Sequence, residues 1–178
     1  MKMTGDVRFK RTEEKIYQAL LELCQQKVDF ETVSVRRLAE VAGISHQTFY
    51  RHYDSPKQVI IQVIDRHLAE FLKDFHRKNL TARKMVNQLL KIWNEREEVF
   101  QLLEWSDLRY EFIERLARFN QKIAEQNGIH LIDIEQICNV YAAAIYMFLR
   151  SYVLEKRWND EQATELLLDL TNQMNKIF

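Results

Sequence analysis

The stretch Thr32–Ile60, TVSVRRLAEVAGISHQTFYRHYDSPKQVI, decides the fold. Ser34 is placed to cap a short helix whose buried face is Val35, Leu38, Ala39 and Ala42. Gly43 supplies a left-handed stop. Ser45 starts a second short helix after a turn of a few residues. That helix has almost no buried face. Phe49 and Tyr53 look inward, while His46, Gln47, Thr48, Tyr50, Arg51 and His52 are expected to point to solvent. A longer helix begins directly afterwards, with Ser55 as cap, Pro56 at the first helical position and Gln58 completing a capping box.

Two short helices joined by a tight glycine turn, the second polar and aromatic, make a helix-turn-helix. A helix that enters the major groove must be polar outside and needs only one or two anchors beneath it. Gln47 suits adenine, Arg51 suits guanine or phosphate, and the Thr48 methyl suits thymine. Ser45 and His46 can reach base edges or phosphate. Tyr50, His52 and the helix starts at Ser34 and Ser55 suit phosphate oxygens. A surface helix in an ordinary bundle is the plainer alternative. The succession of caps, glycine and anchors over these residues favours the groove-binding reading.

Outward from this segment everything reads as helix. Thr12, with Glu13 and Glu14 behind it, is placed to cap a first helix carrying the stripe Ile16, Ala19, Leu20, Leu23 and Cys24. The fourth helix runs from Ser55 to about Asn79 with Ile60, Val63, Ile64, His67, Leu68, Phe71 and Phe75 on its inner face. Helices follow near 82–94, 96–104, 106–127 and 131–156, with Asn127-Gly128 as a stop. Asn159 and Gln162 form another capping box, and Ala163, Leu166, Leu167, Leu170, Met174 and Ile177 continue the last stripe. The expected fold is all-α with about nine helices: a three-helix head, residues 1–55, and a helical body, residues 56–178. The fourth helix joins the two without a flexible linker.

Composition agrees. Only 3 Gly and 1 Pro in 178 residues argue against a turn-rich β fold, and 47% hydrophobic residues allow a sizeable core. The 26 basic and 26 acidic residues cancel, so any electrostatic footprint is local. Residues 1–57 hold ten Lys/Arg against eight Asp/Glu, or +2, leaving sixteen against eighteen, or −2. Cys24 and Cys138 suggest no disulfide framework, the N-terminus has no signal-peptide pattern, and no apolar run is long enough to span a bilayer. A cytoplasmic protein without membrane partners is expected.

The segment Thr32–Ile60, with RLAEVAGIS, TFYRHY and the capped start of the fourth helix, closely resembles the N-terminal domain of the TetR family of bacterial transcriptional regulators. The specific resemblance covers roughly residues 10–65. It implies a DNA-binding head on a variable helical body that binds a small ligand and dimerises. Position by position, it implies DNA contacts by Ser34, Arg36, His46, Gln47, Thr48, Tyr50 and His52. Family members often carry a phosphate-binding Lys directly after the cap of the fourth helix. Pro56 stands there instead, and Lys57 comes one residue later, about 100° around the helix.

For the body, a mostly apolar ligand pocket is expected among Trp93, Phe100, Trp105, Tyr110, Phe119 and Tyr141, although aromatics at helical spacing are more often plain core. A dimer interface is expected from Ala143, Phe148, Tyr152, Leu166, Leu170 and Met174 on the last two helices. No cofactor or metal is expected. His67 and His76 are nine residues apart and His130 stands alone, so no pair has metal-ligand spacing. No G-x-S-x-G, H-E-x-x-H or glycine-rich phosphate loop occurs, which argues against an enzyme. The expected function is a ligand-responsive repressor. It would bind a double-stranded, pseudo-palindromic operator as a homodimer and be released by a small-molecule effector. The alternative is a TetR-like protein acting mainly through a protein partner.

Overall fold

The computed structural model describes residues 3–78, 81–126, 128–129 and 131–177, with side chains described over 7–71, 81–126, 128–129 and 131–171. The described residues form nine α-helices and no strand: α1 (Met3–Gln25), α2 (Val35–Val41), α3 (His46–Tyr50), α4 (Pro56–Lys78), α5 (Ala82–Asn94), α6 (Glu97–Trp105), α7 (Arg109–Gln126), α8 (Ile134–Val153) and α9 (Asp160–Ile177). The expected Phe75 and His76 of α4, His130, and Met174 and Ile177 of α9 lie outside the described side chains.

The caps that define the head form as the sequence requires. Ser34 Oγ accepts from the Arg37 amide and Ser45 Oγ from the Thr48 amide. Gly43 takes φ 64°, a left-handed conformation that a side chain would strain. At the start of α4 the Gln58 amide donates to Ser55 Oγ at 3.2 Å, and the Gln58 side chain reaches back to the Asp54 amide rather than to that of Ser55. Asn159 and Gln162 form the full reciprocal box, at 2.9 and 3.2 Å.

Three helices differ from expectation in their boundaries, each for a local reason. Thr12 is not a cap. It lies inside α1, where its hydroxyl donates to the Arg8 carbonyl at 3.0 Å, an i−4 bond open to threonine in any helix. Left-handed Asp107 (φ 53°) delays α7 to Arg109. Left-handed Asp133 (φ 58°) and Lys156 (φ 50°) bracket a shorter α8. A single 3-10 turn at Phe30–Thr32 was not signalled by periodicity, being too short to show any.

One apolar core runs through head and body. In the head, Ile16, Leu20, Leu38 and Phe49 are fully buried; in the body, Val99, Phe100, Leu103, Phe112 and Leu149 are. α4 belongs to both, burying Val59 and Ile60 at its start and Leu68 and Phe71 further along. In the body, α8 lies along α7 and α9 along α5. Continuity through α4 is not the sole connection. The Trp105 indole donates to the Val28 carbonyl at 2.5 Å, and its ring meets Phe30 edge-on at 4.8 Å. A third contact, from Arg66 on α4 to Glu13 on α1, is looser at 3.8 Å.

Candidate nucleic-acid interface

α3 is five residues long, far too short to be stable alone, so its position depends on its anchors. Phe49 is completely buried and Tyr53 is 3% exposed, their rings 5.9 Å apart. Burial raises the Tyr53 phenol to about 12, with Glu13, which accepts from its hydroxyl at 3.5 Å, adding to the rise. Around these anchors His46, Gln47, Tyr50 and Arg51 are exposed, Tyr50 to 56%. The Tyr50 ring stands edge-on to both Phe49 and His46, so it is propped outward from the helix. Arg36, Ser34, Ser45 and Lys57 are also exposed.

Some expected contact residues have a local partner. Ser45 and Thr48 bring their hydroxyls within 2.9 Å, and the Ser34 and Ser45 oxygens already cap helices. Their lone-pair capacity allows a further bond to phosphate, but their first role is to fix α2 and α3.

His52 departs from expectation. It does not point to solvent but is half-buried under the Phe9 ring, centroids 3.9 Å apart. Its Nδ1 is buried with no hydrogen-bond partner among the described residues. Desolvation lowers its pKa, with the Glu13 carboxylate pulling the other way. The cause is the early start of α1, which brings Phe9 over the end of the helix-turn-helix. Phe9 precedes Ile16 by seven residues and so continues the same stripe, a signal masked by the cap-like sequence Thr12-Glu13-Glu14.

Of the expected pocket residues, Phe119 borders a cavity of about 320 Å³ with Leu68, Ala69, Arg115 and Arg118, whereas Trp93 and Phe100 belong to the packed core. Trp93, Phe100 and Phe112 pack edge to face with centroids 5.2–5.7 Å apart, and Tyr146 closes the cluster with its hydroxyl on Glu104. These are core residues, because aromatic quadrupoles favour such tilted packing and leave no room between rings. Trp105 is at the head–body joint instead. Tyr110 is 70% exposed, Tyr141 is half-buried, and Phe119 packs on Phe71 at 5.4 Å. A cavity of about 580 Å³ opens elsewhere, between head and body, lined by Glu13, Glu14 and Tyr17 of α1, Arg66 and His67 of α4, and Arg96 and Glu98 at the start of α6. The His67 pKa is lowered by burial, while its bond to Glu70 opposes that shift. No group of His, Cys, Asp and Glu suited to a metal occurs among the described residues.

The expected dimer residues divide. Phe148 is buried and stacked on Trp158 at 5.2 Å, and Tyr152 is buried with its hydroxyl on Asp160 at 2.7 Å. Both serve the fold of a single subunit. Ala143 and Leu166 are half-exposed and Leu170 is 42% exposed. The outward apolar stripe of α8 is Val140, Ala144 and Met147.

No family model matches the chain, and no curated protein matches it. Solved structures do. Lin0861 from Listeria innocua is 25% identical, with a TM-score of 0.83 over 94% of this chain and 93% of its own. A Syntrophomonas wolfei protein assigned to the TetR family of transcriptional regulators is 13% identical, with a TM-score of 0.65 over 93% and 95%. The dihydroxyacetone kinase operon activator DhaS is 21% identical, with a TM-score of 0.59 over 94% and 97%. With a helix-turn-helix head, a shared fourth helix and an all-helical body, the chain has the fold of the TetR-family transcriptional regulators.

Proposed function

We propose that the chain is a non-enzymatic, ligand-responsive transcriptional regulator. It binds a pseudo-palindromic operator as a homodimer in the cytoplasm and, as a repressor, is released by a small-molecule effector. The observation that carries this is the exposed face of α3, His46, Gln47, Tyr50 and Arg51 held out around the single fully buried side chain of Phe49. Residues 1–55 serve as the DNA-binding head and residues 56–178 as the regulatory body. Two heads related by the dimer axis enter successive major grooves about 34–36 Å apart. Val140, Ala144 and Met147, with Leu170, form the self-complementary patch that such a dimer needs. Among the described residues, no helix is long and apolar enough to cross a membrane, which agrees with a DNA partner.

Because Trp93, Phe100 and Phe112 fill the centre of the body, we take the cavity between α1, α4 and α6 as the effector site. A molecule there touches head and body at once and so favours one arrangement of the two over another. The same filled core favours a second reading, in which a protein partner instead of a small molecule sets the response. The likeness to an operon activator shows that the fold also serves activation. Both readings share one test. Duplex DNA from upstream of the protein's own gene should be retained against competitor DNA, and footprinting should show two half-sites one helical turn apart. Uniform affinity for all duplexes would refute operator recognition.

A further inference from the structure

The zero net charge of the chain conceals a strip of unpaired cations on the outer flank of α1. Phe9, Glu13, Ile16 and Leu20 mark the side of α1 turned to the core, since Phe9 covers His52, Glu13 meets Tyr53, and Ile16 and Leu20 are fully buried. At about 100° per residue, Tyr17, Lys10 and Glu14 fall on one flank, the flank that lines the cavity against α4 and α6. Arg8, Lys15 and Arg11 fall on the opposite flank, about 100–160° from Phe9 and away from the body. All three are exposed, and among the described residues none of them is in an ion pair. Between Arg8 and Lys15 no carboxylate shares that flank; Glu22 does, but it stands two turns beyond Lys15, where it accepts from the Gln26 side chain at 3.0 Å.

The Phe9–His52 stack fixes this strip relative to the helix-turn-helix. His52 is the second residue after α3, so the overhanging turns of α1 are held against the end of the helix that reads the groove. Without the stack, a helix end with no other apolar contact would fray. From Arg8 to Lys15 the strip extends about 10 Å along the helix axis, a length over which one DNA strand carries about three phosphates.

We infer that Arg8, Arg11 and Lys15 form a phosphate-binding strip that grips the DNA backbone beside the major groove occupied by α3, with Phe9 and His52 as its positioning residues. The inference rests on the reading of the head as a duplex-DNA binder. It adds a contact surface outside the helix-turn-helix that is blind to sequence and sensitive to salt.

The test is the salt dependence of binding to a random-sequence duplex long enough to span two half-sites, measured by fluorescence anisotropy. Replacing two phosphate contacts makes the slope of log K against log salt shallower by about 1.8 per subunit. Arg8→Gln/Arg11→Gln should show this change. Lys84→Gln/Lys122→Gln removes the same charge from exposed positions of the body and should leave the slope unchanged. Equal slopes for wild type and Arg8→Gln/Arg11→Gln, or equal losses in both double variants, would overturn the strip while leaving the DNA-binding reading intact. Absence of binding by the wild-type protein at low salt would overturn both.

Discussion

Phe49 and Tyr50 are neighbours on a five-residue helix with opposite surroundings, and their alanine variants should fail in opposite ways. Phe49 is 0% exposed and Tyr50 is 56% exposed. Removing a fully buried phenylalanine costs about 3–5 kcal/mol, a large fraction of the roughly 5–15 kcal/mol that holds a domain folded. For a chain of this size each kcal/mol is about 2–4 °C, so Phe49→Ala should lower Tm by roughly 6–20 °C. The core is continuous from head to body, so the loss should appear as one transition. Tyr50→Ala empties no cavity, and its stability should stay within about 0.5 kcal/mol of wild type. Its cost should appear in operator affinity, at about 1–3 kcal/mol, or roughly 5- to 150-fold in Kd. Thermal unfolding by circular dichroism and anisotropy titration of both variants separates the two effects. If Tyr50→Ala melts like Phe49→Ala, or binds operator like wild type, the assignment of the α3 faces is wrong.

Burial lowers the pKa of both His52 and His67 from the ordinary 6.5, so the folded protein prefers them neutral while the unfolded chain takes up protons. Stability should therefore be retained above pH 6.5 and fall as pH drops through it. Glu13 beside His52 and Glu70 beside His67 soften the loss. Urea midpoints compared between pH 7.5 and 5.5 should show a smaller drop in His52→Phe/His67→Leu; an equal drop would refute the assignment. Met147→Glu, on the exposed stripe of α8, should convert a wild-type dimer into a monomer by sedimentation velocity, and a dimer retained by the variant would show that the stripe is not the interface. Trp105→Phe keeps the ring beside Phe30 but deletes the bond to the Val28 carbonyl. It should cost about 0.5–1.5 kcal/mol in urea denaturation, and no change would mean that the bond adds nothing to the joint.

The head was legible in the sequence because its determinants are local. Ser34, Gly43, Ser45, Ser55 and Pro56 each act within four residues of themselves, and the structure uses each of them to start or stop a helix. What sequence could not resolve was partnership over distance. His52 and Phe9 are forty-three positions apart, and nothing in the spacing of either announces a stack. Trp93 and Phe100 can be read as pocket wall or as core, since periodicity reports which face is apolar and not whether space is left over. Phe148 and Tyr152 were assigned to a subunit interface because they are large and apolar, but Trp158 and Asp160, beyond the end of α8, had already claimed them. Val140, marked only by a modest side chain, is exposed on the same helix yet carries no signal in the sequence that sets it apart.

The bond from Trp105 to Val28 changes what kind of motion the head can make. A lever fixed by one stiff arm can bend in any direction, and the direction of push then hardly matters. Held a second time, at a point off the axis of α4, it loses much of that freedom, and rotation about the line through the two attachments is the motion they resist least. Force along that line does nothing; force across it becomes torque. The cavity between α1, α4 and α6 borders both attached parts, so whatever fills it acts as a wedge with a defined turning sense. In the proposed dimer the two turns would be related by the two-fold axis, and a rotation of a few degrees in each subunit would add up as a change in the distance between the two α3 helices.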